Sequence, residues 1–239
     1  MFPIFSLVIF DCDGTLVDSL DGIARSANQA LSELGYQKTF THAQIAQVVG
    51  LSLDEAMLVL LPEATPEFRR EAIRGYKSHY QRMADQGELT APLFPGARET
   101  LTALHRGGVT LAVATGKSLK GLQRTLQEHD LSHLFSVLMT ADQAPSKPHP
   151  AMVENILDAV GLPARHCLMV GDTLYDLEMG RHAGVKTAAV TYGCHSREQL
   201  AGGGPDYWLE SLTDVLPVVG ISSVERLEQT CHDFAHQMG

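Results

Sequence analysis

The sequence predicts an α/β protein with a doubly wound parallel sheet and a smaller all-helical domain inserted after the first strand. Three observations predict this arrangement. Short runs that are apolar at nearly every position recur along the chain, helical patterns separate them, and one long helical block interrupts the alternation early. The 239 residues, 44% of them hydrophobic, are enough to bury a sizeable core.

Five apolar runs are predicted to form the sheet, because strands that are buried on both faces need no polar alternation. These runs are residues 6–10, 109–114, 135–139, 167–170 and 186–190. The helical patterns between and around them are residues 97–106, 118–129, 150–160 and 175–182. Ligands of such sheets lie beyond the carboxyl ends of the strands, so polar residues at those ends are the first candidates for a site.

Residues 20–92 form the helical block, which we call the cap. Helix starts are indicated at Thr41 and Ser52, each followed three residues later by Gln or Glu, and at Thr65, which precedes a proline. A later helical face is shared by Phe68, Ile73, Tyr76, Tyr80 and Met83. We therefore predict a core of residues 1–19 and 93–239, with connections to the cap near residues 18–20 and 91–95.

The C-terminal residues are predicted to form an amphipathic helix that packs on the core rather than a dimer contact. Apolar residues there are spaced three and four apart: Val224, Leu227, Cys231, Phe234 and Met238. The sequence leaves monomer and homodimer open.

The net charge of −10 argues against nucleic acid or an anionic membrane as the main partner, because both are polyanions. No apolar run reaches the length of a membrane span, and the N-terminus lacks the basic flank and cleavage site of a signal peptide. The four cysteines form no C-x-x-C pair, and Cys12 and Cys167 end apolar runs, which favours buried free thiols. We expect a cytoplasmic protein.

The first candidate motif directly follows the first strand and reads Asp11-Cys12-Asp13-Gly14-Thr15-Leu16. Gly14 allows a sharp turn, which would bring both carboxylates to the mouth of a pocket. A carboxylate is a feasible nucleophile on phosphorus, and a second carboxyl can exchange protons with the leaving oxygen and with water. Taken alone, the motif is also compatible with a solvated Asp-rich turn.

Three further motifs follow three other predicted strands. Asp172 suits a magnesium site, with Asp176 one helical turn on in an outer-shell role, although Asp172 or Thr173 could instead cap a helix. Lys147 is fixed between Ser146 and a proline and could neutralise phosphate oxygens or clustered carboxylates, although it could also be an ordinary loop lysine.

The last motif is Thr115-Gly116-Lys117-Ser118, in which a hydroxyl and free backbone N–H groups before a helix make an anion cradle. A nucleotide-binding Walker A loop would need a glycine where Leu111 stands, so we reject that interpretation. Each motif is weak alone, but all four fall on the sheet edge where ligands bind, and together they supply a nucleophile, an acid/base, phosphate donors and metal ligands.

These motifs resemble those of the haloacid dehalogenase superfamily of phosphatases, in the subgroup with a helical cap and most closely its phosphoglycolate-phosphatase-like members. The similarity covers nearly the whole chain, to about Tyr207, and implies a Rossmann-like core. It rests on Asp11 to Ser19 (DCDGTLVDS), Thr115, Lys147-Pro148 and Gly171 to Asp176 (GDTLYD).

The resemblance implies a phosphatase that acts on a small phosphorylated metabolite through an aspartyl-phosphate. Asp11 would be the nucleophile and Asp13 the acid/base. Magnesium would be held by Asp11, the Asp13 carbonyl and Asp172. Thr115 and Lys147 would bind the phosphoryl group, with Gly116 as part of the cradle.

Within this superfamily, Asp13 argues against dehalogenation, and the loop of residues 48–52, which we expect to face the site, lacks the cap lysine of a phosphonatase. A sugar phosphomutase and a non-catalytic regulatory protein on the same fold remain alternatives. Because this loop offers no cation, we expect a neutral or larger leaving group, such as a sugar or nucleoside, rather than glycolate. Cations at Arg25, Lys38, Arg69 or Arg74 would overturn that expectation.

Two histidine pairs have helical spacing, His129 with His133 and His232 with His236. No acidic or Cys cluster completes a zinc site at either pair, so we interpret both as surface faces.

Overall fold

The computed structural model describes residues 3–221, and its centre is a six-stranded parallel sheet of order β3-β2-β1-β4-β5-β6. The strands are β1 (Leu7–Phe10), β2 (Thr110–Thr115), β3 (Val137–Thr140), β4 (Cys167–Gly171), β5 (Lys186–Val190) and β6 (Tyr207–Leu209). β1 pairs with β2 on one side and with β4 on the other, so the first strand lies at the centre of the sheet.

Helices cover both faces of this sheet. The core helices are α5 (Ala97–Arg106), α6 (Leu119–Glu128), α7 (Ala151–Val160), α8 (Leu174–His182), α9 (Arg197–Gly202) and α10 (Val215–Val219). Successive residues of a strand point to opposite faces. Val8 and Phe10 accordingly pack in one apolar cluster with Leu101 of α5, whereas Leu7 and Ile9 pack in another with side chains of α7 and α8.

The cap consists of α1 (Leu20–Glu33), α2 (His42–Ala46), α3 (Leu53–Leu60) and α4 (Pro66–Asp85). The expected helix starts are present, because the hydroxyls of Thr41, Ser52 and Thr65 each accept a hydrogen bond from a first-turn backbone N–H. The long helices α1 and α4 pack side by side, and Gly75 allows α4 to approach Ala30 of α1 closely.

The two chain segments that connect the cap to the core run next to each other. Val17 forms a β-bridge with Leu93, and the backbone N–H of Asp18 donates to the carbonyl of Pro92 at 2.8 Å. Both segments lie just beyond the carboxyl end of β1. The cap is therefore attached at the edge of the sheet where the four motifs end.

The structure confirms the predicted parallel sheet and the helical cap. It adds the edge strand β6, which the sequence did not reveal because a strand of only three residues, two of them partly buried, is too short to stand out as an apolar run. The predicted C-terminal helix, with His232 and His236, lies outside the described residues. Among residues 3–221, no helix has the length and apolar character needed to cross a membrane.

Candidate active site

The candidate site begins at the carboxyl end of β1, where the chain turns at Gly14. This glycine has φ +91°, and a Cβ atom there would lie 2.1 Å from Oδ2 of Asp172. Only glycine therefore allows the β1 loop to pass so close to the carboxylate that follows β4. Asp11 on the near side of this turn is fully buried, and Asp13 is 8% exposed.

Lys147 joins two buried carboxylates. Its Nζ donates to Oδ1 of Asp11 at 2.7 Å and to Oδ1 of Asp176 at 2.6 Å, and all three side chains are fully buried. Asp176 accepts with its other oxygen from the backbone N–H and hydroxyl of Thr173, at 3.0 and 2.7 Å. Both oxygens of Asp176 are therefore engaged, and this residue holds Lys147 beside Asp11.

Asp172 faces the same buried space. Its Oδ1 accepts from the hydroxyl of Thr15 at 2.8 Å, and its Oδ2 accepts from the backbone N–H of Cys194 at 2.7 Å. The residue that caps α8 is Thr173, which forms a capping box with Asp176. The capping role that the sequence left open for Asp172 or Thr173 thus falls to Thr173, and Asp172 is left to face the site.

The acidic cluster has the character of a site for a hard cation. One carboxylate oxygen from each of Asp11, Asp172 and Asp176 lies within 4.8 Å of the others. Oδ2 of Asp11 is buried and has no hydrogen-bond partner among the described residues, which is costly for a carboxylate. Burial raises the pKa of Asp11 to about 8, although Lys147 opposes this, and burial also raises the pKa of Asp172 to about 6.

Magnesium fits these donors, because it prefers oxygen ligands and its charge would favour the ionised carboxylates. Asp11 and Asp172 are the residues available to hold it. No histidine belongs to a metal-ligand cluster within residues 3–221. Nε2 of His129 donates to the carbonyl of Ala91, and His133 is exposed near Asp130.

Asp13 is held by a lysine that sequence reasoning did not assign to the site. Nζ of Lys117 lies 2.7 Å from Oδ1 and 2.9 Å from Oδ2 of Asp13, and the hydroxyl of Ser19 donates to Oδ1 at 2.6 Å. The lysine also lies over the ring of Tyr80 in the cap, 5.5 Å from its centroid. Lys117 thus connects the acid/base candidate to the cap.

The loop after β2 lies directly under the cap. Thr115 is 1% exposed, and a Cβ atom on Gly116 would lie 2.2 Å from the carbonyl oxygen of Leu51 and 2.6 Å from that of Gly50. The backbone N–H of Ser52 donates to the hydroxyl of Ser146 at 2.8 Å, beside Lys147. The loop of residues 48–52 therefore faces the site, as expected.

A cavity of about 560 Å³ separates the cap from the core next to Asp13. Thr115, Gly116 and Lys117 line its core side. The arginines and lysine that we named as possible cations do not line it: Arg25 pairs with Glu88, Arg69 donates to the carbonyls of Leu61 and Ala64, Arg74 pairs with Glu71, and Lys38 is exposed. The basic residues that do line it are Lys77, Lys117, Lys120 and Arg124.

The structure thus brings Asp11, Lys147, Asp172 and Asp176 into one buried cluster, with Asp13, Thr115 and Gly116 beside the cavity. A family model described as haloacid dehalogenase-like hydrolase matches residues 8–190. The chain belongs to the haloacid dehalogenase-like hydrolases. All of the candidate site residues fall within the stretch that this family model covers.

Individual haloacid dehalogenase-like relatives are similar over most of their length. A phosphoglycolate phosphatase of Vibrio cholerae is 32% identical over 91% of this chain and 98% of its own. A probable phosphatase of Dickeya dadantii is 35% identical over 88% of this chain and 91% of its own. The structure of a predicted phosphoglycolate phosphatase from Haemophilus somnus superposes with a TM-score of 0.77 at 29% identity, covering 90% of this chain and 97% of its own.

Proposed function

We propose that this chain is a magnesium-dependent phosphatase that hydrolyses a small phosphate monoester through an aspartyl-phosphate on Asp11. One observation carries the proposal: Asp11 is buried at the carboxyl end of β1, with one oxygen on Lys147 and the other without a hydrogen-bond partner within residues 3–221. A buried carboxylate with an unpartnered oxygen is costly unless a cation or a reacting group uses that oxygen. The names of the similar phosphatases support the same reaction class.

In the first step, a carboxylate oxygen of Asp11 attacks phosphorus, and the bond from phosphorus to the ester oxygen breaks. Lys147 is placed to bind the phosphoryl oxygens because its Nζ lies 2.7 Å from Asp11, and Thr115 because it ends β2, which pairs with β1. The positive charge of Lys147 would offset the negative charge on the transferring group. Because Asp11 is fully buried, the phosphoryl group reaches it only if surrounding groups move.

Asp13 would supply a proton to the leaving oxygen, so that an alcohol departs. In the second step, the Asp13 carboxylate takes a proton from water, which attacks phosphorus and releases inorganic phosphate and free Asp11. The hydrogen bond from Ser19 fixes one oxygen of Asp13, and Lys117 must release this carboxylate before it can act as an acid.

Magnesium, when bound, would neutralise charge on the phosphoryl oxygens and on the clustered carboxylates. Asp11, Asp172 and the backbone carbonyl of Asp13 are the proposed ligands, and Asp176 acts through Lys147. The cytoplasmic location, the absence of a nucleic-acid partner and the choice between monomer and homodimer stay predictions from the sequence.

The test is phosphate release from p-nitrophenyl phosphate and from a panel of phosphorylated metabolites, each with magnesium. Asp11→Asn should lower kcat by at least about a thousandfold, since an amide is a far poorer nucleophile. Asp158→Asn is the matched control, because Asp158 is an exposed carboxylate on α7, away from the site.

The intermediate is tested by acid-quenching the reaction and locating a phosphoryl adduct by mass spectrometry. We expect it on the peptide that contains Asp11, and none in Asp11→Asn. Retention of a tenth of the wild-type kcat by Asp11→Asn, or an adduct on another residue, would contradict the proposed mechanism.

A further inference from the structure

We infer that the cavity next to Asp13 accepts a neutral leaving group with a mainly apolar body, and that the hydroxyl of Tyr76 is its principal polar contact in the cap. The inference rests on the proposed phosphatase function and names the class of alcohol that this site would release. Three features of the cavity carry it: its apolar cap wall, the state of Tyr76 and the engagement of the nearby cations.

The cap side of the cavity is built from apolar side chains of α1, α2, α3 and the loop that follows α2. They include Ile23, Ala27, Ile45, Val49 and Leu60, which also pack together as one cluster. A cavity of about 560 Å³ is large enough for a ligand well beyond two carbon atoms. These apolar side chains stabilise apolar surface and give no hydrogen bond to a carboxylate.

Tyr76 is the polar residue of the cap that also packs within this apolar cluster; the other polar cap residues that line the cavity are Ser52, Asp54, Lys77, Ser78, Tyr80 and Gln81. The ring of Tyr76 stacks on that of Tyr80, one helical turn on in α4, with centroids 5.7 Å apart. The hydroxyl makes no hydrogen bond within the part of the chain that the structure describes, although Tyr76 lines the cavity. Burial raises the pKa of Tyr76, so the group stays a neutral hydroxyl that can donate to or accept from a ligand.

The buried cations of the site are already engaged. Both carboxylate oxygens of Asp13 hold Lys117, and Lys147 is shared by Asp11 and Asp176. A leaving group with its own negative charge would have to compete with the Asp13 carboxylate for Lys117, which is unfavourable.

Three further cations line the cavity. Arg124 is 23% exposed, lies 3.6 Å from Glu128 and 5.5 Å from the centre of the Tyr80 ring, and its Nε is buried without a hydrogen-bond partner among the described residues. Lys77 and Lys120 are exposed. Exposed charges bind a small anion weakly in water. Arg124 is nevertheless the residue that a carboxylate would need, so it defines the competing possibility.

The experiment compares monoesters of unactivated alcohols on the wild-type protein with magnesium. We expect kcat/KM to rise from ethyl to butyl phosphate by about fourfold per methylene group, which corresponds to about 0.8 kcal/mol. The kcat/KM for glycolamide phosphate should exceed that for phosphoglycolate by at least about tenfold, because the amide has the shape of the acid without its charge.

Two variants separate the polar contact of the Tyr76 hydroxyl from the apolar contacts of the cavity wall. Tyr76→Phe should lower kcat/KM for glycolamide phosphate about fivefold and leave that for butyl phosphate within about twofold, since only the amide uses the hydroxyl. Tyr36→Phe is the matched control, because Tyr36 is a partly buried cap tyrosine that packs on Phe40 and Phe68 and does not line the cavity. Tyr36→Phe should leave kcat/KM unchanged for both substrates.

A preference for phosphoglycolate over glycolamide phosphate that disappears in Arg124→Gln would overturn the inference. Equal kcat/KM values for the esters from ethyl to butyl phosphate would also overturn the inference. Either result leaves the proposed function intact, because phosphate is still released. Failure of the proposed function has a different signature, namely no magnesium-dependent phosphate release from any ester, or activity that survives in Asp11→Asn.

Discussion

Lys117 donates hydrogen bonds to both carboxylate oxygens of Asp13, at 2.7 and 2.9 Å, in a pair whose side chains are only 9% and 11% exposed. In this position the lysine occupies both oxygens of the group that is proposed to donate a proton. It also keeps a positive charge between the core and Tyr80 of the cap. The pair therefore has a structural role in the resting protein and must separate during catalysis.

Removing this lysine should destabilise the protein. We expect Lys117→Gln to lower the free energy of unfolding by about 2–3 kcal/mol in urea denaturation at pH 7, because a nearly buried carboxylate loses its counter-charge. Lys120→Gln should be nearly neutral, since Lys120 is exposed. The double variant Asp13→Asn/Lys117→Gln should be more stable than Lys117→Gln alone, and strictly additive effects would show that the pair contributes nothing.

The role of Asp13 as the leaving-group acid predicts a dependence on the alcohol released. Asp13→Asn should lower kcat/KM far more for an alkyl phosphate than for p-nitrophenyl phosphate, because p-nitrophenolate needs little protonation. Pre-steady-state measurements should also show slower hydrolysis of the phospho-enzyme. Equal losses on both substrates would mean that another group protonates the leaving oxygen.

Oδ2 of Asp11, which has no hydrogen-bond partner in the described part of the chain, and the nearby Asp172 predict a strict need for a divalent cation. EDTA should abolish turnover reversibly, and magnesium should restore it. Calcium should inhibit, because it takes more ligands at longer distances and would disturb the in-line geometry. In Asp172→Asn we expect the magnesium concentration at half-maximal activity to rise at least about tenfold; full activity of metal-free wild-type protein would refute the site.

The close approach of Gly116 to the cap predicts that a single methyl group can hold the two domains apart. In Gly116→Ala the new Cβ would meet the carbonyls of Leu51 and Gly50. We expect kcat/KM to fall at least about tenfold on every substrate while the melting temperature changes little, because opening of the cap relieves the clash. Gly202→Ala has open space at its Cβ and should behave as wild type. Wild-type activity in Gly116→Ala would show that this closed arrangement is not needed.

The sequence predicted those features that depend on local pattern. Strands buried on both faces appear as apolar runs, so β1 to β5 were visible, and Asp11, Thr115, Lys147 and Asp172 could be placed near their carboxyl ends. The partnership of Lys117 with Asp13 could not be read in this way, because it joins residues 104 positions apart through side-chain reach. The available signal was spacing: Lys117 stands two residues after Thr115, just as Asp13 stands two residues after Asp11.

The cap was predictable as helices but not as a binding surface. Tyr76 and Tyr80 share the helical face that the spacing indicated, yet such a face normally packs inside a domain. Here Tyr76 packs against the cap clusters and also borders the cavity. Which part of an apolar face meets a ligand depends on how α4 lies against the core, and no local pattern encodes that relationship.

The paired connections at Val17 with Leu93 and Asp18 with Pro92 bring the two ends of the cap to one point on the core. An insertion whose ends meet can change in length, helix number or sequence without altering the register of β1 against its neighbours. Selection on such a chain can act on two parts nearly independently. The residues of the cavity wall can change to accept other alcohols, while the residues at the sheet edge continue to catalyse the same reaction.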